Sequence, residues 1–158
     1  MAVTTGPAAD APDFELDVEI GVVAEVVRET LADLDRLSPL HPLIESIEAL
    51  PARSPYPTAR WYRVVDRIPF GPWKLKTVYE AALEVVSDVE VHGHAWQSPG
   101  VRLLTVYHLT RAGDGTRLRE RCSVTAPFGM RRFVVSQARG AHAEMLAGLK
   151  RLLEGGAP

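Results

Sequence analysis

Two histidines and a tryptophan alternate in the segment VEVHGHAWQS, residues 89–98. On a β-strand His92, His94 and Trp96 share one face, because successive strand residues point to opposite sides. If that face is turned inward, two imidazoles and an indole line a protected space, and a histidine there can exchange protons near neutral pH. If that face is turned toward water, the three are ordinary surface residues. The pattern of the neighbouring strands therefore has to be used to infer which way the face points.

Other polar residues could complete an acid–base set. Glu120, Tyr107 and Asp66 fall on segments that pattern as strands, where cross-strand neighbours lie close enough to interact. Enolisation next to a carbonyl, aldol closure and dehydration need a proton-moving group, here His92 or Asp66. They also need a donor for the developing oxyanion, here Tyr107 or Tyr62. The alternative is a satisfied polar network that only supports the sheet.

The composition is that of an ordinary globular domain. The chain has 158 residues, 46% hydrophobic and 24% charged, enough for one domain with a sizeable core. Its 18 basic and 20 acidic residues give a net charge of −2, which does not favour nucleic acid as a partner. Cys122 is the only cysteine, so no intramolecular disulfide forms and a reducing, cytoplasmic location is expected.

Residues 1–12 are expected to form a flexible lead and residues 13–154 a single domain. The N-terminal sequence MAVTTGPAADAPD lacks a basic region followed by an apolar one, so no secretory signal is expected. No apolar run reaches the roughly 18 residues of a membrane span.

Hydrophobic periodicity predicts an α+β order of elements. Residues 14–20 alternate as a strand, and residues 22–37 have helical spacing until the prolines of SPLHP end the helix. Residues 43–50 fit either a strand or a helix. Turn signals then separate five strands, at 59–68, 73–85, 89–97, 102–111 and 116–126. With a last helix over 130–154, the pattern predicts a curved antiparallel sheet of about six to seven strands wrapped on one long helix.

Assumed turn positions determine which side chains share a face. Turns centred on Phe70-Gly71, Ser87-Asp88, Pro99-Gly100 and Gly113-Asp114 give one consistent inner face, because lysines and arginines fall on the other. That face has a polar row, Leu83–His92–Tyr107–Glu120, and an aromatic row, Tyr62–Tyr79–Trp96–Leu103. The other inward residues are Asp66, Trp73, His94, Thr105 and Cys122, the last expected to be a small core residue. A slip of one residue at any turn would reverse the facing.

The last helix is expected to supply further ligand contacts from the N-terminal half of its sheet-facing side: Met130, Phe133, Val134 and Gln137. Gln137 could orient a ligand by hydrogen bonding. His142 is expected on the solvated side, and His41 in LHP is expected to serve the turn. Arg131 and Arg132 are either solvated or meet a ligand carboxylate or the phosphopantetheine of an acyl carrier.

This layout resembles the helix-grip fold of the START-like superfamily, which includes the birch-pollen allergen and the polyketide cyclase/dehydrase and lipid-transport proteins. The resemblance covers residues 14–154 and rests on the order of elements and on three segments, LSPLHPLIESIEAL, GDGTRLRERCSV and MLAGLKRLLE. It implies short helices after the first strand and a cavity for a hydrophobic or aromatic small molecule, with no cofactor. An acyl-carrier protein is a further possible partner, and the chain is expected to be a monomer or homodimer.

The resemblance favours a bacterial polyketide cyclase/dehydrase-like protein that binds a hydrophobic, oxygen-bearing molecule. Whether it is an enzyme stays open; catalysis would be cofactor-free cyclisation or dehydration. The alternative is a non-catalytic carrier or sensor of lipids or aromatic metabolites, and a third class is an interaction module with a packed interior. A metal on His92, His94 and Glu120, a two-His-one-carboxylate set, is the disfavoured interpretation.

Overall fold

The computed structural model describes residues 11–156, so most of the predicted N-terminal lead lies outside the described residues. The strands are β1 (Phe14–Ile20), β2 (Ile44–Leu50), β3 (Arg60–Phe70), β4 (Trp73–Ser87), β5 (Glu90–Gln97), β6 (Val101–Ala112) and β7 (Gly115–Thr125). The helices are α1 (Ala24–Leu31), α2 (Leu34–Leu37) and α3 (Arg131–Leu153), with a 3₁₀ turn at Ser38–Leu40. The strands form one curved antiparallel sheet in the order β1-β7-β6-β5-β4-β3-β2. The predicted α+β helix-grip architecture is confirmed.

The segment after β1 contains two short helices where one helix was predicted over 22–37. Asp33 interrupts the helix because it adopts an extended backbone and its side chain accepts a hydrogen bond from the Asp35 amide, which begins α2. The segment 43–50, which fitted a strand or a helix, forms β2.

The helix α3 lies across the concave face of the sheet. In its C-terminal half Met145, Leu146 and Leu149 are buried in the main core beside Leu109 of β6 and Leu118 of β7. Burying each of these side chains stabilises the fold by about 1.5–3 kcal/mol. The N-terminal half of α3 instead borders a partly open cavity, so one end of the helix packs in the core and the other leaves room for a ligand.

The first hairpin confirms the predicted facing although its turn is one residue further along. Gly71 and Pro72 form the turn, so Asp66 pairs with Thr77 instead of Leu75. The register therefore differs by two residues, which leaves every side chain on its predicted face. Asp66 points into the fold and is 7% exposed.

The facing predicted for β5 is wrong. A β-bulge between Val85 and Ser87 shifts the pairing of β4 with β5 by one residue, so Leu83 pairs with Gly93 and not with His92. A bulge places two residues opposite one and so reverses the facing of everything beyond it. All residues of β5 that were predicted to point inward therefore lie on the convex face of the sheet.

A second one-residue difference restores the facing of β6. The loop between β5 and β6 has three residues instead of the two assumed, with Gly100 at a positive φ of 77° where glycine is favoured. Tyr107 and Thr105 accordingly point inward as predicted. The last hairpin is as predicted, with Tyr107 opposite Glu120 and Thr105 opposite Cys122.

Candidate functional site

A cavity of about 230 Å³ lies between the concave face of the sheet and the N-terminal half of α3. Its volume is a little below the roughly 300–1,000 Å³ of most small-molecule sites. The predicted ligand-contacting residues that border it are Tyr79, Leu103, Thr105, Met130, Phe133, Val134 and Gln137. Asp66 and Tyr107, predicted as catalytic, border it too, and the lining is otherwise mainly apolar.

The histidines of β5 lie outside this cavity. The His92 Nε2 is 2.5 Å from Glu90 Oε1 on the convex face. The His94 ring stacks on Tyr56, with ring centroids 4.0 Å apart. Gly93 and Ala95 take the inward positions, and their small size leaves the main chain of β5, including that of His94, at the cavity wall.

Two predicted assemblies are therefore not formed. The row His92–Tyr107–Glu120 is broken because His92 points away from the other two residues. The two-His-one-carboxylate set is not assembled either, because Glu120 points to the concave side. No group of three or more potential metal-ligating side chains occurs within residues 11–156.

Three aromatic residues predicted to line the cavity do not do so. Trp96 lies on the convex face, where it stacks on Trp61 with ring centroids 5.2 Å apart. Tyr62 points inward but packs in the main core beside Leu34 of α2. Trp73 is 70% exposed because it directly follows the turn of the first hairpin, beyond the mouth of the cavity.

Asp66 is the carboxylate that borders the cavity. Burial raises the pKa of Asp66 to about 6, although a hydrogen bond from Tyr79 and the nearby His142 act in the opposite direction. The Tyr79 hydroxyl donates to Asp66 Oδ1 over 3.4 Å. Burial beside Asp66 raises the pKa of Tyr79, so that phenol keeps its proton. A carboxyl group with a pKa near 6 is ionised for the most part at pH 7 yet basic enough to take a proton.

Glu120 and His142 form a buried pair between β7 and α3. Glu120 is fully buried, and its Oε1 is hydrogen-bonded to His142 Nδ1. Burial alone would lower the pKa of His142, but the facing carboxylates of Glu120 and Asp66 raise it overall. The Glu120 carboxylate also fixes the ring orientation, so His142 borders the cavity as an oriented acid with the other ring nitrogen free of that bond.

The expectation that His142 is solvated is wrong, and the sequence contained a signal against it. His142 lies four residues after Ala138 and next to Ala141, both of which are buried on the sheet-facing side of α3. Residues four apart in a helix share a face. A polar residue in a helical stripe that faces a predicted inward carboxylate is a recognisable candidate partner.

His41 is a second histidine at the cavity, although a role in the turn was the preferred interpretation of the sequence. It does serve the turn, because its Nδ1 accepts a hydrogen bond from the Leu43 amide over 3.3 Å. It also borders the cavity, with its ring 5.8 Å from that of His142 between centroids. Burial and the nearby His142 lower the pKa of His41 to about 3, so it is neutral at pH 7.

Tyr107 and Cys122 have different consequences for chemistry. Burial, together with the neighbouring Glu120, raises the pKa of Tyr107, so its phenol stays protonated and able to donate. Burial raises the pKa of Cys122 to about 12, although the Thr105 hydroxyl bonded to its sulfur acts against this. A thiol that keeps its proton is a poor nucleophile, in agreement with the role of a small core residue.

The cavity thus brings together a base and an acid. Near pH 7 Asp66 is ionised for the most part, whereas the raised pKa of His142 favours its protonated form. A carboxylate with a pKa close to neutral pH can act as a general base, and a protonated imidazole can act as a general acid. Within the described part of the chain, no helix is long and apolar enough to cross a bilayer.

Comparison with known proteins supports the fold. A START superfamily protein from Mycobacterium smegmatis is 15% identical, with a TM-score of 0.69 over 90% of this chain and 97% of that chain. The di-domain ARO/CYC StfQ of the steffimycin biosynthetic pathway is 11% identical, with a TM-score of 0.69 over 90% of this chain and 50% of that one. Ara h 8.0201 is 17% identical, with a TM-score of 0.59 over 86% of this chain and 95% of that chain.

No protein-family model matches the sequence. No curated protein matches it either. These comparisons establish a START-like helix-grip fold.

Proposed function

We propose that this protein binds a hydrophobic, oxygen-bearing small molecule in the cavity and catalyses its cofactor-free cyclisation or dehydration. The observation that carries the proposal is the buried Asp66 carboxyl, which faces the cavity together with the oriented imidazole of His142. The fold that the chain shares with an ARO/CYC protein supports the same class of reaction. Fold alone does not determine function, so the site chemistry is the main argument.

The proposed first step is removal of a proton from the carbon next to a ligand carbonyl. Asp66 takes the proton, and the electrons of the C–H bond form the carbon–carbon double bond of an enolate. Protonated His142 and the phenol of Tyr107 donate hydrogen bonds to the negative oxygen. Donors already in place for this charge stabilise the transition state more than they stabilise the substrate.

The enolate can then react in either of two ways. In ring closure its carbon attacks a second carbonyl of the same molecule, a carbon–carbon bond forms, and His142 protonates the new alkoxide. In dehydration a β-hydroxyl group leaves as water after it accepts the proton of His142. A cavity that folds the chain so that the reacting carbons meet supplies much of the rate, because it removes the entropy cost of the encounter.

Isotope exchange at an activated carbon tests the proposal without the natural substrate. The probe is 2-tetralone, a benzo-fused cyclic ketone with acidic α-protons, in deuterated buffer near neutral pH. The rate of α-proton loss is followed by NMR, and binding is measured separately by saturation transfer. We expect exchange faster than in buffer, reduced about 10²–10⁴-fold by Asp66→Asn while binding is retained.

The matched control is Asp17→Asn, which removes a carboxylate on the outer side of β1 that is bonded to Arg117 and Arg119. It should leave the exchange rate unchanged. If the wild-type protein binds 2-tetralone but does not accelerate exchange, the proposed catalysis is wrong and the protein is a carrier.

A further inference from the structure

The charges around the cavity restrict the kind of ligand that can enter. Among the lining residues of the described chain, none is a lysine or an arginine, and Asp66 is the one carboxylate. His142 is the cationic candidate, but its charge is matched by the Glu120 carboxylate bonded to it. The wall therefore has no uncompensated positive charge with which to hold an anion.

The basic residues of the sheet are directed elsewhere. Arg67 of β3 is 2.5 Å from Glu45, and Arg117 of β7 is 2.8 Å from Asp17, both on the outer side of the sheet. Arg131 at the start of α3 is bonded to Asp13. None of these three guanidinium groups borders the cavity.

The two titratable groups Asp66 and His142 lie well away from the contact between the start of α3 and the end of β3. Phe70 at the end of β3 meets Phe133 near the start of α3, with ring centroids 5.9 Å apart. Asp66 lies four strand residues from Phe70, roughly 13 Å. His142 lies nine helical residues from Phe133, also roughly 13 Å. Both estimates place the base and the acid at a similar distance from the contact between Phe70 and Phe133.

We infer that the cavity selects an uncharged ligand, such as a ketone or phenol, which enters with its oxygen first, and that it discriminates against a carboxylate of the same shape. This inference rests on the proposed function and names its substrate class. A carbonyl oxygen at the deep end can accept hydrogen bonds from His142 or Tyr107. A carboxylate there would lie beside Asp66, and repulsion between two anions is strong where water is largely excluded.

A matched pair of ligands tests the inference: 2-acetonaphthone and 2-naphthoate, which share a ring system and differ in the charge of the oxygen-bearing group. Dissociation constants are measured by calorimetry at pH 8. We expect the ketone to bind at least tenfold more tightly than the carboxylate. Asp66→Asn should increase naphthoate affinity at least fivefold and change ketone affinity less than twofold, whereas the control Asp17→Asn should change neither.

Equal or tighter binding of naphthoate by the wild-type protein would overturn the inference. If Arg132→Gln, at the exposed start of α3, then weakened naphthoate binding, the carboxylate would lie at the entrance and not at the deep end. A ketone preference without exchange of 2-tetralone would support the inferred selectivity and refute the proposed catalysis. If neither compound bound up to its solubility limit, both the inference and the proposed function would be refuted.

Discussion

Asp66→Asn should make the protein more stable at pH 8 while it removes proton transfer. Burial raises the pKa of Asp66 from 3.8 to about 6. The native state therefore binds this proton more tightly than the unfolded state does. The resulting stabilisation is complete below about pH 4 and is lost as the pH rises through about 6.

The magnitude follows from the shift in pKa. A difference of about two units corresponds to about 3 kcal/mol at 1.36 kcal/mol per unit, and this is the penalty for holding an ionised Asp66 in the cavity at pH 8. Asparagine avoids the charge and can still accept the hydrogen bond from Tyr79 through its amide oxygen. The expected gain in the free energy of unfolding is up to about 3 kcal/mol, or about 6–12 °C in Tm for a domain of this size.

The assay is urea denaturation followed by circular dichroism at pH 8 and pH 4. The gain should be present at pH 8 and largely absent at pH 4, where Asp66 is protonated in the native protein. The control Asp17→Asn should instead lower the free energy of unfolding at pH 8, because the hydrogen bond from Arg117 outweighs desolvation and lowers the pKa of Asp17. The loss of unfolding free energy in Asp17→Asn should stay below about 1 kcal/mol, which is typical of exposed ion pairs.

A loss of stability in Asp66→Asn at pH 8 would refute this reasoning. It would mean that the native protein holds the Asp66 carboxylate without penalty. Asp66 would then not be poised as a base near neutral pH, and the proposed enolisation would lose its central residue.

The same denaturation assay checks four further predictions, and calorimetry checks the ligand affinity named in one of them. His142→Phe should lower the free energy of unfolding by about 3–5 kcal/mol, because Glu120 remains as a buried, unpaired carboxylate. Adding Glu120→Met to the same chain should recover most of that loss. His94→Phe should be neutral or gain about 1 kcal/mol, with ligand affinity unchanged, because both ring nitrogens of His94 are buried without a hydrogen-bond partner among the described residues. Gly115→Ala should lose about 1–3 kcal/mol because its Cβ would be 2.4 Å from a backbone oxygen of β1. Gly140→Ala, with open space around it, should instead gain up to about 1 kcal/mol.

Most of the fold could be predicted because it depends on local patterns. Alternation at period two defined the strands, helical spacing defined α3, and turn residues placed the hairpins within one or two residues. A register error of two residues leaves every side chain on its predicted face of the sheet, as in the first hairpin. The facing of β6 was correct only because two one-residue errors, on either side of β5, cancelled, and the correctly placed last turn then gave the facing of β7.

The site itself was only partly predictable. Asp66, Tyr107 and Glu120 were identified as inward-facing polar residues, but the histidine assigned to them was the wrong one. The β-bulge that turned His92 outward has no clear signal in the sequence Val85-Val86-Ser87, because the extra residue is fixed by how two strands pair. His142 was assigned to the solvent although its helical position next to Ala138 and Ala141 indicated otherwise.

The sequence by itself determined the order of elements, the long C-terminal helix and the set of polar residues available for chemistry, because each is encoded within a short stretch of chain. Only the tertiary structure decided which histidine meets Glu120 and how far Asp66 is removed from water. Both depend on contacts between segments distant in sequence: β7 with α3 for the Glu120–His142 pair, and β3 with β4 and α3 for the environment of Asp66. Protonation follows from burial and from neighbouring charges, and these exist only once the sheet has closed around the helix.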